Sequence, residues 1–191
     1  MKPPARNSIY VTSVFVTLCG LTTLFSLSAL GQGSAVYTKA NSSGPGHCRD
    51  GQLTVRHVSE DAAMGGVRSV EYAFKNSSTS PCSMKGYPRF ELLTRSGARV
   101  GKIRVVNSQQ FPGDEEKQLP ALVSLEPGKE AWFHIYFNTG GAGYVGKPCP
   151  AAARVRITAP GATKGVMLRD QIQSCSSVQV SVVQAGPPPE Q

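Results

Sequence analysis

Helical periodicity is what this sequence most lacks. No long segment keeps apolar residues at helical spacing without a glycine, a proline or a β-branched interruption. An ordinary helical domain is excluded. Charged residues are sparse at 17%, aromatics make up 7%, and the only histidines are His47, His57 and His134. There is no Gly-x-Ser-x-Gly elbow, no Cys-x-x-Cys and no His-x-x-x-His, so the local spacings of a hydrolase nucleophile, a redox pair and a common zinc site are missing. No internal repeat is found.

What the chain has instead is turn chemistry. Its 191 residues carry 20 glycines and 14 prolines, the composition of many short strands joined by tight turns. One domain with a real core fits this length. The formal net charge is +8, and loss of Lys2 and Arg6 with a leader leaves about +6 on the mature domain.

The first residues read as an export signal. Lys2 and Arg6 precede Ile9 to Leu30, a run without a charged residue, and Ala29-Leu30-Gly31 offers a small-x-small cleavage site before Gln32. The run also approaches the ~20 apolar residues that span a bilayer, so residues 1–31 are either a cleaved signal peptide or a retained N-terminal membrane anchor helix. Either way the domain is expected outside the cytoplasm, periplasmic or secreted. Cys19 follows Leu18 where lipoprotein processing needs a small residue, which argues against lipid attachment. Residues 32–46 are small and polar, as in a flexible linker. Residues 47–184 form the expected domain, and the proline-rich 185–191 a tail that cannot extend a sheet.

Period-two alternation marks the strands. It runs through Leu53, Val55 and His57; Val70, Tyr72 and Phe74; Phe90 and Leu92; Ile103 and Val105; Val123 and Leu125; Phe133, Ile135 and Phe137; Val155 and Ile157; and Val178, Val180 and Val182. That gives about eight short strands. Glu126-Pro127-Gly128-Lys129 fits a type II turn, which predicts a tight hairpin between its flanking strands. The economical arrangement is an all-β antiparallel sandwich of two sheets.

Four cysteines lie in this domain, Cys48, Cys82, Cys149 and Cys175, and an even set behind an export signal implies two disulfides. If strands alternate in direction, the first and last lie near each other, which favours Cys48 with Cys175 and Cys82 with Cys149. Pairing of sequence neighbours, Cys48 with Cys82 and Cys149 with Cys175, is the alternative.

The same landmarks carry a family resemblance. Cys48, then Lys75-Asn76-Ser77, then Pro81-Cys82-Ser83-Met84-Lys85-Gly86-Tyr87-Pro88, with Glu91-Leu92-Leu93 and a Ser96-Gly97 turn, resemble a bacterial secreted family known only as domain of unknown function 4232 (DUF4232). Val123-Ser124-Leu125-Glu126-Pro127-Gly128, Ala131-Trp132-Phe133, Cys149, Ile157-Thr158-Ala159-Pro160 and Cys175 are similar to its second half. The resemblance spans residues 48–183. It implies an immunoglobulin-like sandwich in an exported, often membrane-tethered protein, and it implies no catalytic residues.

Candidate chemistry is thin. Gly141 to Lys147 matches the glycine spacing of nucleotide-binding loops, but Pro148-Cys149-Pro150 follows where a helix must open, so an inter-strand loop is expected. His47, His57 and His134 with Met64, Met84 and Met167 are the parts of a soft copper site, scattered over different segments. Asp114-Glu115-Glu116 reads as a solvated acidic loop rather than a catalytic pair. No cofactor is implied.

Two surfaces carry the binding expectations. Trp132, His134 and Tyr136 share the second face of an aromatic strand, either covered by a loop such as residues 107–120 or open to stack a sugar ring or peptide. Arg56, Lys75, Lys102, Arg104, Arg154 and Arg156 take the outward phase of their strands and together can attract an anion. The expectation is therefore an exported, non-enzymatic binding or envelope-interaction module. Its expected partners are an anionic envelope polymer, a glycan or another envelope protein, with no nucleic acid, and with membrane contact only through the N-terminal anchor. A copper-binding protein or an unrecognised hydrolase is the alternative.

Overall fold

A computed structural model describes residues 44–112, 115–140 and 148–186. The leader, most of the linker, the Gly141–Lys147 loop, Asp114 and the last residues of the tail lie outside them. Among the described residues the chain is all-β, with helix confined to a 3-10 turn at Met64–Gly66. No helix among them is long and apolar enough to cross a membrane.

The strongest alternation builds the main sheet. Strand β1 (Leu53–Ala63) turns through Met64–Gly66 into β2 (Val67–Asn76), which pairs along nine residues with β7 (Glu130–Asn138). Two short strands follow beside β7, β12 (Val178–Val180) and then β5 (Val105–Asn107), giving the order β1-β2-β7-β12-β5, while β13 (Gln184–Ala185) also pairs with β7. Only the β12–β5 contact in this sheet is parallel. A second sheet has the order β10-β9-β4, from Val166–Leu168, Arg154–Thr158 and Arg89–Leu93. Two further pairs are β3 (Cys82–Lys85) with β6 (Leu122–Leu125), and β8 (Ala151–Ala152) with β11 (Ile172–Gln173). Among the described residues, thirteen strands replace the expected eight or so. The extra ones, two to four residues each, are too short to show a period.

The core is the inward phase of the long strands. Tyr72 and Phe133 stack with centroids 5.4 Å apart, Phe74 joins Phe133 at the same distance, and Phe90 of the second sheet meets Tyr72 at 5.7 Å. Each such ring, sealed from water, contributes roughly 1.5–3 kcal/mol. Ile135, Val155, Ile157 and Leu125 complete the same cluster.

The disulfide pairing favoured by strand order is corrected. Cys48 is bonded to Cys82, with Cα atoms 4.7 Å apart, and Cys149 to Cys175, at 4.8 Å. Strands β1 and β12 are not neighbours, because β2 and β7 lie between them. Cys48 precedes β1 on a segment that runs parallel to β3, with its N–H donating to the Ser83 carbonyl at 2.9 Å. Cys175 docks on the end of β7 through the Asn138 carbonyl, at 2.7 Å.

The expected hairpin is corrected as well. The turn forms, with Gly128 at φ 78° and the Lys129 N–H on the Glu126 carbonyl, but β6 pairs with β3 rather than β7. The turn carries the chain from one sheet to another. Buried Asn76 holds it: its carbonyl accepts from Gly128 N–H, and its side-chain amide donates to the Leu125 carbonyl.

Candidate anion-binding site

The two arginines expected on one strand meet different fates. Arg156 lies directly across from Glu91 of β4, and its guanidinium reaches the Glu91 carboxylate at 3.4 Å. Arg99 grips the same carboxylate through Nε and Nη2. Burial opposes charge on Glu91, but these two cations outweigh it and hold its carboxyl below the ordinary value. Arg156 and Arg99 therefore share one internal carboxylate. Arg56, another of the outward basic residues, is forked onto Glu130, with contacts of 3.2 and 2.8 Å.

Arg154 faces Leu93 instead, a neighbour that offers no charge. With Arg95 and Arg169 it lines a hollow of about 290 Å³ completed by Ala153 and Gln171. The three arginines come from three places: the turn after β4, the start of β9 and the link between β10 and β11. Among the described residues, no acidic side chain lines this hollow. Among the described residues, no ion pair uses Arg95, Arg154 or Arg169. Three guanidiniums around one hollow, with the Gln171 amide beside them, form a donor set for phosphate, sulfate or carboxylate oxygens. Arg95 sits in a turn and Arg169 in the irregular β10–β11 link, where no alternation singles them out.

The aromatic face of β7 is arranged differently. Phe111, from the segment 107–120, packs edge-on against His134 at 4.2 Å and Tyr136 at 6.1 Å, while Trp132 stacks on His134 at 5.9 Å. Phe111 is itself buried. The middle of this face is covered by the protein's own ring. The copper-site parts are spread out: Met84 is in the core, Met64 is almost fully exposed on the β1–β2 turn, and His134 lies under Phe111. Among the described residues, no three His, Cys, Asp or Glu side chains are grouped to hold a metal ion.

His57 meets a carboxylate that sequence reasoning missed. Its Nδ1 lies 2.9 Å from Asp170 Oδ2, and the same oxygen accepts from Tyr72 Oη at 2.6 Å. Burial pushes the Tyr72 phenol far up, and its bond to Asp170 adds to the shift. A hydrolase relay needs a nucleophilic hydroxyl on the imidazole. Here the hydroxyl donates to the carboxylate, tying β1 and β2 to the β10–β11 link.

Residues 48–187 match the family model described as "Domain of unknown function (DUF4232)". The chain belongs to this family. No curated protein and no solved structure matches it. The DUF4232 match takes in both disulfides, all the strands and the arginine-lined hollow. Two disulfides also mark an oxidising compartment outside the cytoplasm.

Proposed function

We propose that this DUF4232 domain is an exported, non-enzymatic binding module that holds an anionic polymer of the cell envelope in the Arg95–Arg154–Arg169 hollow. One observation carries the reading: three arginines from separate elements line one hollow without a carboxylate, while Arg56, Arg99 and Arg156 are tied to internal acids. Clustered guanidiniums raise the local concentration of phosphate- or carboxylate-bearing chains and grip them in forked pairs. On this reading the sheets form an immunoglobulin-like sandwich, a rigid mount for the hollow, and the N-terminal segment delivers the domain across the membrane or tethers it there.

Retention on isolated envelope tests this. The wild-type protein is expected to bind at low ionic strength and to elute as salt screens the contact. R154Q and R169Q should each lose at least fivefold in retention, while K75Q, on a β2 position away from the hollow, should keep it. Equal retention of all these proteins, or retention insensitive to salt, would remove the proposal.

A further inference from the structure

The two sheets each leave part of an edge open onto one cleft, the end of β4 at Leu92 and Leu93 being covered by the chain's own Ala98–Val100 segment. Strand β4 is the outer strand of the second sheet and β5 the outer strand of the main sheet. Between them lies a cleft of about 480 Å³ with an apolar floor that includes Tyr87, Phe90, Val100, Ile103 and Val105. That volume suits a small ligand or a few residues of extended chain.

The direction of the backbone groups follows from the ladder. The Leu93 carbonyl accepts from Ala153 N–H on the β9 side, whereas the Leu92 carbonyl accepts from Val100 N–H on the opposite side. Strand parity then turns the peptide groups of Phe90 the same way as those of Leu92, away from β9 and toward the cleft. In β5, the Arg104 carbonyl and the Ser108 N–H bond to β12, so the groups of Val105 and Asn107 face outward. Among the described residues, no backbone or side-chain bond beyond the sheet ladders takes up the Phe90 or Val105 groups. Phe90 is only 4% exposed, which limits the water that can replace such a bond. On the rim, Arg99 is bonded to Glu91 and Arg89 donates to Thr158 Oγ1 and the Thr163 carbonyl, and the exposed cations outside any described ion pair are Lys102 and Arg104, on either side of the lining residue Ile103.

We propose that this cleft receives an extended acidic segment of a partner protein by strand addition. The segment takes main-chain hydrogen bonds at the Phe90 and Val105 edges, places alternate apolar side chains on the floor and turns carboxylates toward the rim. This surface is separate from the arginine-lined hollow and goes beyond the polymer-binding reading.

The probe is the capped peptide Ac-Glu-Val-Glu-Val-Glu-Val-Glu-NH2, titrated into the full chain. Saturable binding is expected, with amide exchange at Phe90 and Val105 slowed at least tenfold. The same peptide N-methylated on its valines keeps every side chain but loses donors, and should bind at least tenfold more weakly. Replacement of its glutamates by lysine should weaken it as much. V105P removes an outward N–H without touching the β12 ladder, a placement proline tolerates, and should also cost tenfold. Should V105P not fold, the N-methylated peptide decides. Absence of saturable binding, equal binding of parent and N-methylated peptides, or saturation with unchanged exchange at Phe90 and Val105 would overturn the proposal.

Discussion

Glu91 sits where three side chains meet, and its ionisation state is coupled to folding. Burial works against its charge, yet Arg99 and Arg156 hold it below its ordinary 4.5, and the Arg56 fork holds Glu130 down in the same direction. A carboxyl depressed by folding binds fewer protons in the folded state than in the unfolded chain. The resulting stability is complete above the unfolded value and drains as the pH falls through the folded one. Unfolding free energies from urea titrations should therefore fall between pH 7 and pH 3. E91Q, which cannot titrate, should narrow that gap by about 1 kcal/mol; an unchanged gap would show that the Glu91 cluster contributes nothing. The outward phase of Arg154 and Arg156 is legible in the sequence, since alternation is local. Their separation into a cation outside the described ion pairs and one bound to a carboxylate is not, because it depends on whether Leu93 or Glu91 lies across the ladder.

At the scale of elements, parity is local and partnership is not. The inward phases of β2 and β7 stand in the sequence as Val70, Tyr72 and Phe74 and as Phe133, Ile135 and Phe137, and all six are buried. The aromatic residues opposite them on β7 were readable as a face either covered by a loop or open to a ligand, and Phe111 packs over His134 and Tyr136. Which strand β6 would join was not readable, because the Pro127-Gly128 turn has the same local chemistry whether it closes a hairpin or changes sheets. The cysteine pairs were missed for the same reason: the segment carrying Cys48 pairs with β3 before β1 begins. Mass spectrometry of unreduced peptides should recover Cys48 joined to Cys82 and Cys149 to Cys175. With sequence separations of 34 and 26, each bridge restricts the unfolded chain by about 3.5 kcal/mol in the chain-entropy model. The C48A/C82A double variant should lose about 3 kcal/mol in urea, and recovery of a Cys48–Cys175 peptide would contradict the strand order.

Taken whole, the molecule is a basic β domain whose cations are unevenly committed. The chain carries a formal net charge of +8, and among the described residues four arginines, Arg56, Arg68, Arg99 and Arg156, are ion-paired with Glu130, Glu60 and Glu91. What remains concentrated is the hollow of Arg95, Arg154 and Arg169. Net charge alone would predict diffuse attraction to any polyanion; three arginines around one hollow predict that a polyphosphate fills that place first. The direct test is an NMR titration of the side-chain Nε–Hε signals of the arginines with inorganic polyphosphate. The Arg95, Arg154 and Arg169 signals should move together along one saturable curve, while those of Arg56 and Arg156 stay in place. Movement of all the arginine signals alike, or of Arg156 ahead of Arg154, would contradict the account.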